Sequence, residues 1–124
     1  MGITYANRWI AKKSKLNTIQ APTSLNAAVM SSSHINLKWT FNIKNEDGFK
    51  IERSTGGRSF MEIGTAPANV NSYDDKNVES GVAYYYRVRT YEGNCFSAYS
   101  NQCFISIELN AQKKFEVESS RQSS

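Results

Sequence analysis

The stretch from Gly81 to Tyr91, Gly-Val-Ala-Tyr-Tyr-Tyr-Arg-Val-Arg-Thr-Tyr, narrows the choice of fold more than any other part of the chain. It is dense in aromatic and β-branched side chains and is bracketed by Gly81 and Gly93, a composition that favours a strand. A period-two reading puts Tyr84, Tyr86 and Val88 on one face and Tyr85, Arg87, Arg89 and Tyr91 on the other. One apolar face backed by a basic, aromatic one is the pattern of a strand in a half-buried antiparallel sheet.

Similar runs lie on either side. Pro22 opens a stretch to Ala27, where a proline removes a donor before pairing needs it and blunts a sheet edge. Ser31 to Ser33 read as a turn, and His34 to Trp39 alternate with Ile35, Leu37 and Trp39 inward. Asn42 to Gly48 form a polar loop before a strand from Gly48 to Ser54. Thr55 to Arg58 make a tight turn, since glycines accept positive φ. Ser59–Gly64 and Val70–Asp74 read as the next two strands, Glu92–Phe96 as a hairpin loop, and Ser97 to about Ile107 as the last strand. Seven short strands with regular turn signals suggest a β-sandwich, and 124 residues suffice for one domain.

Four of these segments, in order, carry a family resemblance. Gly-x-x-Tyr-x-Tyr-Arg-Val-Arg at 81–89 resembles the sixth strand of fibronectin type III domains. Asp-Gly-Phe-Lys-Ile-Glu-Arg-Ser at 47–54 is similar to bacterial-type and phage-type members, and Ala98 to Asn101 is again family-like. His34 to Trp39 resembles the second strand, whose inward tryptophan, here Trp39, occupies the centre of the core. The resemblance covers roughly residues 21–107. It implies an all-β, seven-stranded, immunoglobulin-like Greek-key sandwich, flanked by an N-terminal arm (1–20) and a C-terminal tail (108–124). It also implies structural roles for Trp39, Tyr84 and Tyr86. Tyr84 would form a tyrosine corner, its hydroxyl bonding back to the chain a few residues upstream, with Val78 at the apolar position that opens the corner. Some members carry Arg-Gly-Asp between the last two strands; this chain has Glu92-Gly93-Asn94 there, so integrin binding is not implied.

Charge is unevenly placed. The net charge is +4. Residues 1–20 hold Arg8, Lys12, Lys13 and Lys15 and no acid, residues 21–107 hold eight basic and eight acidic side chains, and residues 108–124 hold three of each. The excess therefore lies in the arm. A basic arm suits a nucleic acid, an anionic membrane or an acidic protein surface, or is simply a solvated leader. Tyr5, Trp9 and Leu16 give it a weak amphipathic pattern. Trp9 either docks on a partner or folds back onto its own domain. In the tail, Lys113 to Glu118 could pair as a strand.

Reactive constellations are hard to find. There is no nucleophile elbow, phosphate-binding glycine loop, zinc-type cysteine cluster or calcium loop. His34, the only histidine, falls on the polar face at a strand start and makes neither a triad nor a metal site. Asp74 and Asp75 read as turn residues; adjacent on a strand, they would point to opposite faces and could not share a substrate. Cys95 and Cys103, placed along one strand, would be roughly 25 Å apart at about 3.3 Å per residue, beyond the roughly 7 Å that a disulfide spans, so two free thiols are expected. The chain is expected to be no enzyme and to need no cofactor or metal.

Two candidate surfaces remain. One is a docking arm of Tyr5, Arg8, Trp9, Ile10, Lys12, Lys13 and Lys15; the other is a face of Lys50, Glu52, Tyr85, Arg87, Arg89 and Tyr91. On that face, cations between aromatics can stack on sugars or bases, but opposed charges on neighbouring strands are also the ordinary way to solubilise a sheet. The family resemblance implies a spacer, adhesion or docking module, as found in secreted polysaccharide-degrading enzymes, cell-surface proteins and virion proteins of tailed phages. A chain that starts at Met, with one domain and no signal peptide, is expected to be a small structural component of a large assembly. Phage capsid decoration or a tail accessory protein is the first choice, with the arm bound to other protein subunits. The alternatives are a glycan-binding or adhesion module at the cell surface or secreted, and an accessory protein of a nucleic-acid-containing complex such as a ribosome. Direct nucleic-acid binding by the electrically neutral body is not expected, and no apolar run is long enough to span a membrane.

Overall fold

The computed structural model describes residues 19–42 and 45–108. The docking arm proposed for Tyr5 to Lys15, and the strand proposed for Lys113 to Glu118, lie outside the described residues. Within them the chain forms eight strands: β1 (Thr23–Ser31), β2 (His34–Thr40), β3 (Gly48–Ser54), β4 (Met61–Pro67), β5 (Ser72–Asp75), β6 (Ala83–Glu92), β7 (Cys95–Phe96) and β8 (Cys103–Ser106). One sheet has the order β1-β2-β5; the other runs β4-β3-β6, with β7 and β8 both paired to β6. Every pairing is antiparallel. The chain crosses to the second sheet for β3 and β4, returns to the first for β5, and crosses again, as the Greek-key reading requires. No helix among the described residues is long and apolar enough to cross a membrane.

The alternation anticipated in the sequence fills the space between the sheets. Leu25, Ile35, Leu37 and Trp39 face inward from the first sheet, and Phe49, Ile51, Tyr84, Tyr86 and Val88 from the second. Trp39 meets Phe49 edge-on, with ring centroids 5.4 Å apart. Val78 and Ile107 close the core from the connecting segments. The Tyr84 hydroxyl accepts a 2.8 Å bond from the Glu79 backbone N–H, the tyrosine corner.

A buried carboxylate joins the two sheets. Asp75, at the end of β5, is 3% exposed. Its oxygens accept bonds from Arg53 Nη1 of β3 at 2.8 and 3.0 Å, from the Tyr86 hydroxyl of β6 at 2.7 Å and from the Asn77 N–H at 3.1 Å. Burial, the largest single effect, would lower the pKa of Arg53, but the bond to Asp75, the Asp75 charge and the two nearby tyrosines together outweigh it and raise it. Burial, then the bond to Asp75, pushes the Tyr86 phenol far above its ordinary value. The neighbouring Asp74 points outward. Bonds from His34 Nε2 (2.9 Å) and Asn36 Nδ2 (2.8 Å) hold its carboxyl below the usual range.

Several expectations need correction. Asp74 and Asp75 are strand residues, not a turn, because β5 pairs with β2 as far as Ile35↔Asp75. The strands expected at 59–64 and 70–74 lie two to three residues later at one or both ends, at Met61–Pro67 and Ser72–Asp75. The strand expected from 97 to 107 shrinks to β8, for a reason given below, and β7 falls within the stretch expected to be a hairpin loop. Cys95 and Cys103 are unpaired and sit on different strands, not along one.

Two outcomes follow from the buried carboxylate. Asp75→Ala strands Arg53, Tyr86 and the Asn77 N–H together, and is expected to lower stability in urea by about 3 kcal/mol or more. A raised folded-state phenol gives stability that is whole below the unfolded tyrosine pKa of about 10 and is lost as pH rises above it, at up to about 1.4 kcal/mol per pH unit for one group. Urea midpoints between pH 9 and 11 should therefore fall more steeply for the natural chain than for Tyr86→Phe.

Candidate functional site

The outer face of the second sheet brings together most of the residues expected there. The β3–β6 register sets Glu52 opposite Arg87, Lys50 opposite Arg89 and Gly48 opposite Tyr91. Arg87 Nε donates to Glu52 Oε1 at 2.8 Å, and Arg87 Nη2 lies 2.8 Å from the same oxygen. The facing pair Lys50 and Arg89 are like charges, so Lys50 turns the other way. Its Nζ lies 3.6 Å from Glu62 of β4 and 4.6 Å from the centre of the Tyr91 ring. Glu52, expected on the solvent side, is only 7% exposed because arginine and tyrosine side chains cover it.

The covering tyrosine is Tyr99, and a break in the sheet places it. Between β7 and β8 the chain leaves the ladder, and two serines replace the missing acceptors. Thr90 N–H donates to Ser97 Oγ at 2.9 Å, and Val88 N–H donates to Ser100 Oγ at 3.0 Å. Each serine hydroxyl donates on to the next carbonyl, of Ala98 and Asn101. Buried amides that would otherwise be orphaned are thus satisfied while Ala98 and Tyr99 bulge outward. Asn101 anchors the far end, its amide bonding both the N–H and the C=O of Leu25 in β1 at 2.9 and 3.0 Å.

Aromatic rings and guanidinium groups interleave as a result. The Arg87 guanidinium carbon lies 3.7 Å from the centre of the Tyr99 ring and 4.1 Å from that of Phe60. Arg89 lies 4.0 Å from Phe96 and 4.7 Å from Tyr99. The Tyr99 hydroxyl donates to Glu52 Oε2 at 3.0 Å; burial first, and that bond second, raise its pKa. Tyr85 stands apart with Phe104, their rings 5.0 Å apart, and Phe104 is 58% exposed.

Period-two reading thus found Lys50, Glu52, Arg87, Arg89 and Tyr91 but missed Phe60, Phe96, Tyr99 and the role of Glu62. Three of the four missed residues come from loops or short returns, where strand periodicity carries no information. The one available signal was the pair of serines three residues apart, Ser97 and Ser100, in a run otherwise read as a strand.

Among the described residues no three His, Cys, Asp or Glu side chains converge as metal ligands would. A depression of about 150 Å³ lined by Arg53, Ser54, Thr55, Ser59, Met61 and Ile63 is smaller than the roughly 300 Å³ at which ligand pockets begin.

The geometry matches known proteins at the level of structure. A Fn3-like protein from Clostridium thermocellum is similar at 26% identity with a TM-score of 0.61, over 73% of this chain and 95% of that one. The FN3 domain of human collagen XX is similar at 25% identity and TM-score 0.59, over 72% and 92%. The FN1–FN3 domains of chicken CNTN1 are similar at 18% identity and TM-score 0.65. The fold is that of a fibronectin type III domain. The chain covers 72% of its own length against that three-domain structure but only 32% of the other's. No family model and no curated protein matches the sequence.

If the face is one coupled unit, Glu52→Gln is expected to cost about 2 kcal/mol in urea unfolding, since it removes the carboxylate beneath two guanidinium groups. A cost below about 0.5 kcal/mol would reduce the cluster to ordinary exposed ion pairs.

Proposed function

We propose that this fibronectin type III domain is a non-catalytic docking module of a larger assembly. The N-terminal arm is its anchor, and the outer face of β3 and β6 is a second contact. One observation carries the reading: Arg87 and Arg89 are locked between aromatic rings on a face where Phe96 is 44% exposed. Arginine and aromatic residues dominate interface hot spots. Side chains already ordered on folding lose little further entropy on association. The likeness to FN3 domains of other proteins supports a binding role over a chemical one. The balance of charge over residues 21–107 favours a protein partner over nucleic acid for the body, leaving the surplus cations to the arm.

Co-sedimentation with large particles from the source organism tests this. The full chain is expected to travel with a particle, and a chain lacking residues 1–20 to remain at the top of the gradient. The particle that carries it, a phage virion or another assembly, then gives the setting. If the full chain stays behind as a 14.0 kDa species alongside the shortened one, the anchoring proposal is wrong.

A further inference from the structure

Among the described residues, the outer face has one cation more than its carboxylates can serve. Three cations, Lys50, Arg87 and Arg89, share two acids, Glu52 and Glu62. Glu62 is taken by Lys50. Glu52 accepts Arg87 on one oxygen and the Tyr99 hydroxyl on the other. Arg89 is left with Glu52 Oε2 at 3.8 Å, beyond hydrogen-bond reach. Its Nε is buried with no partner among the described residues. A guanidinium carries five N–H donors in a rigid plane and keeps its charge at any physiological pH. Here the plane is fixed by Phe96 at 4.0 Å and Tyr99 at 4.7 Å, while a quarter of the side chain (25%) stays open to solvent.

We propose that Arg89 is the receptor for a carboxylate from an acidic side chain of a partner protein, held in the plane of the guanidinium beside the exposed ring of Phe96. This deepens the docking role proposed above and rests on it. A planar fork with unused donors matches a carboxylate in two-point fashion, which a lysine cannot do. One surplus charge suits one carboxylate. A phosphate backbone would call for several free cations, and this face supplies one. Phe96, 44% exposed, gives the partner an apolar neighbour to cover, so the complementary sequence carries Asp or Glu next to an apolar residue.

A random peptide library displayed on mRNA and selected on the purified full chain tests this. Enriched sequences are expected to share an Asp or Glu at one position. The best of them should bind Arg89→Lys about tenfold more weakly, while Lys38→Ala, an exposed cation on the other sheet, should leave affinity unchanged. If Arg89→Lys melts well below the natural chain, Phe96→Leu replaces it; there Arg89 stays and a weakening of several-fold is expected. Enrichment without an acid, no enrichment, or equal binding to Arg89→Lys overturns the proposal. So does a rise in peptide affinity on deleting residues 109–124, which hold Glu116 and Glu118, since the chain would then be supplying its own carboxylate. The selection uses the isolated chain. A chain that co-sediments yet selects no acidic peptide keeps its docking role and loses this contact; one that selects acidic peptides yet sediments with nothing loses only its place in a large particle.

Discussion

A single buried carboxylate does much to decide how the two sheets sit on one another. Hydrophobic burial drives them together but is non-directional and would tolerate a slide of one sheet over the other. Asp75 does not tolerate it. It belongs to the sheet of β1, β2 and β5, and its partners Arg53 and Tyr86 belong to β3 and β6. Any slip would leave a charge, a guanidinium and a phenol unpaired in a poorly polarisable interior, each at a cost of the order of 1–3 kcal/mol or more. The Tyr73 hydroxyl adds a second tie across the same side, bonding the Ile63 carbonyl at 3.0 Å. It passes so close to Gly64 that a Cβ there would meet it.

With the sheets fixed, the outer face follows from one irregularity. A continuous last strand from 97 to 107 would have spent residues 97–102 on ladder bonds to β6. Ser97 and Ser100 each hold β6 at two points, a backbone N–H to the carbonyl and a hydroxyl to the N–H, and the chain between them is free to carry Tyr99 over Arg87 and Arg89. Local side-chain hydrogen bonding has displaced regular pairing, and the displacement gives the face its shape.

The same division explains how much could be read from the sequence. The inward positions Ile35, Leu37, Trp39, Tyr84, Tyr86 and Val88 were legible because burial on one face enforces alternation. The corner role of Tyr84 was legible through the resemblance of residues 81–89 to the sixth strand of fibronectin type III domains, and the Glu79 N–H answers its hydroxyl. Asp75 was not legible. An acidic pair after a strand reads as a turn, and only tertiary placement beside Arg53 shows that one of the two is buried. Phe60, Phe96 and Tyr99 were hidden for a related reason. They reach the face from segments whose direction is set by what they fold over, not by their own periodicity.

Gln20 and Ile107, near the two limits of the described residues, meet opposite ends of β6. Gln20 receives the Thr90 hydroxyl through its carbonyl at 2.9 Å, and Ile107 receives the Gly81 N–H at 2.8 Å. Nine residues of extended chain separate those two points, roughly 30 Å at about 3.3 Å per residue. Tension applied at residues 20 and 107 would enter through β1 and β8 and load their ladders with β2 and β6 in shear, where many bonds share the force, and not peel them one at a time. The strand that first disclosed the fold thus spans the distance between the two points at which such a pull would act.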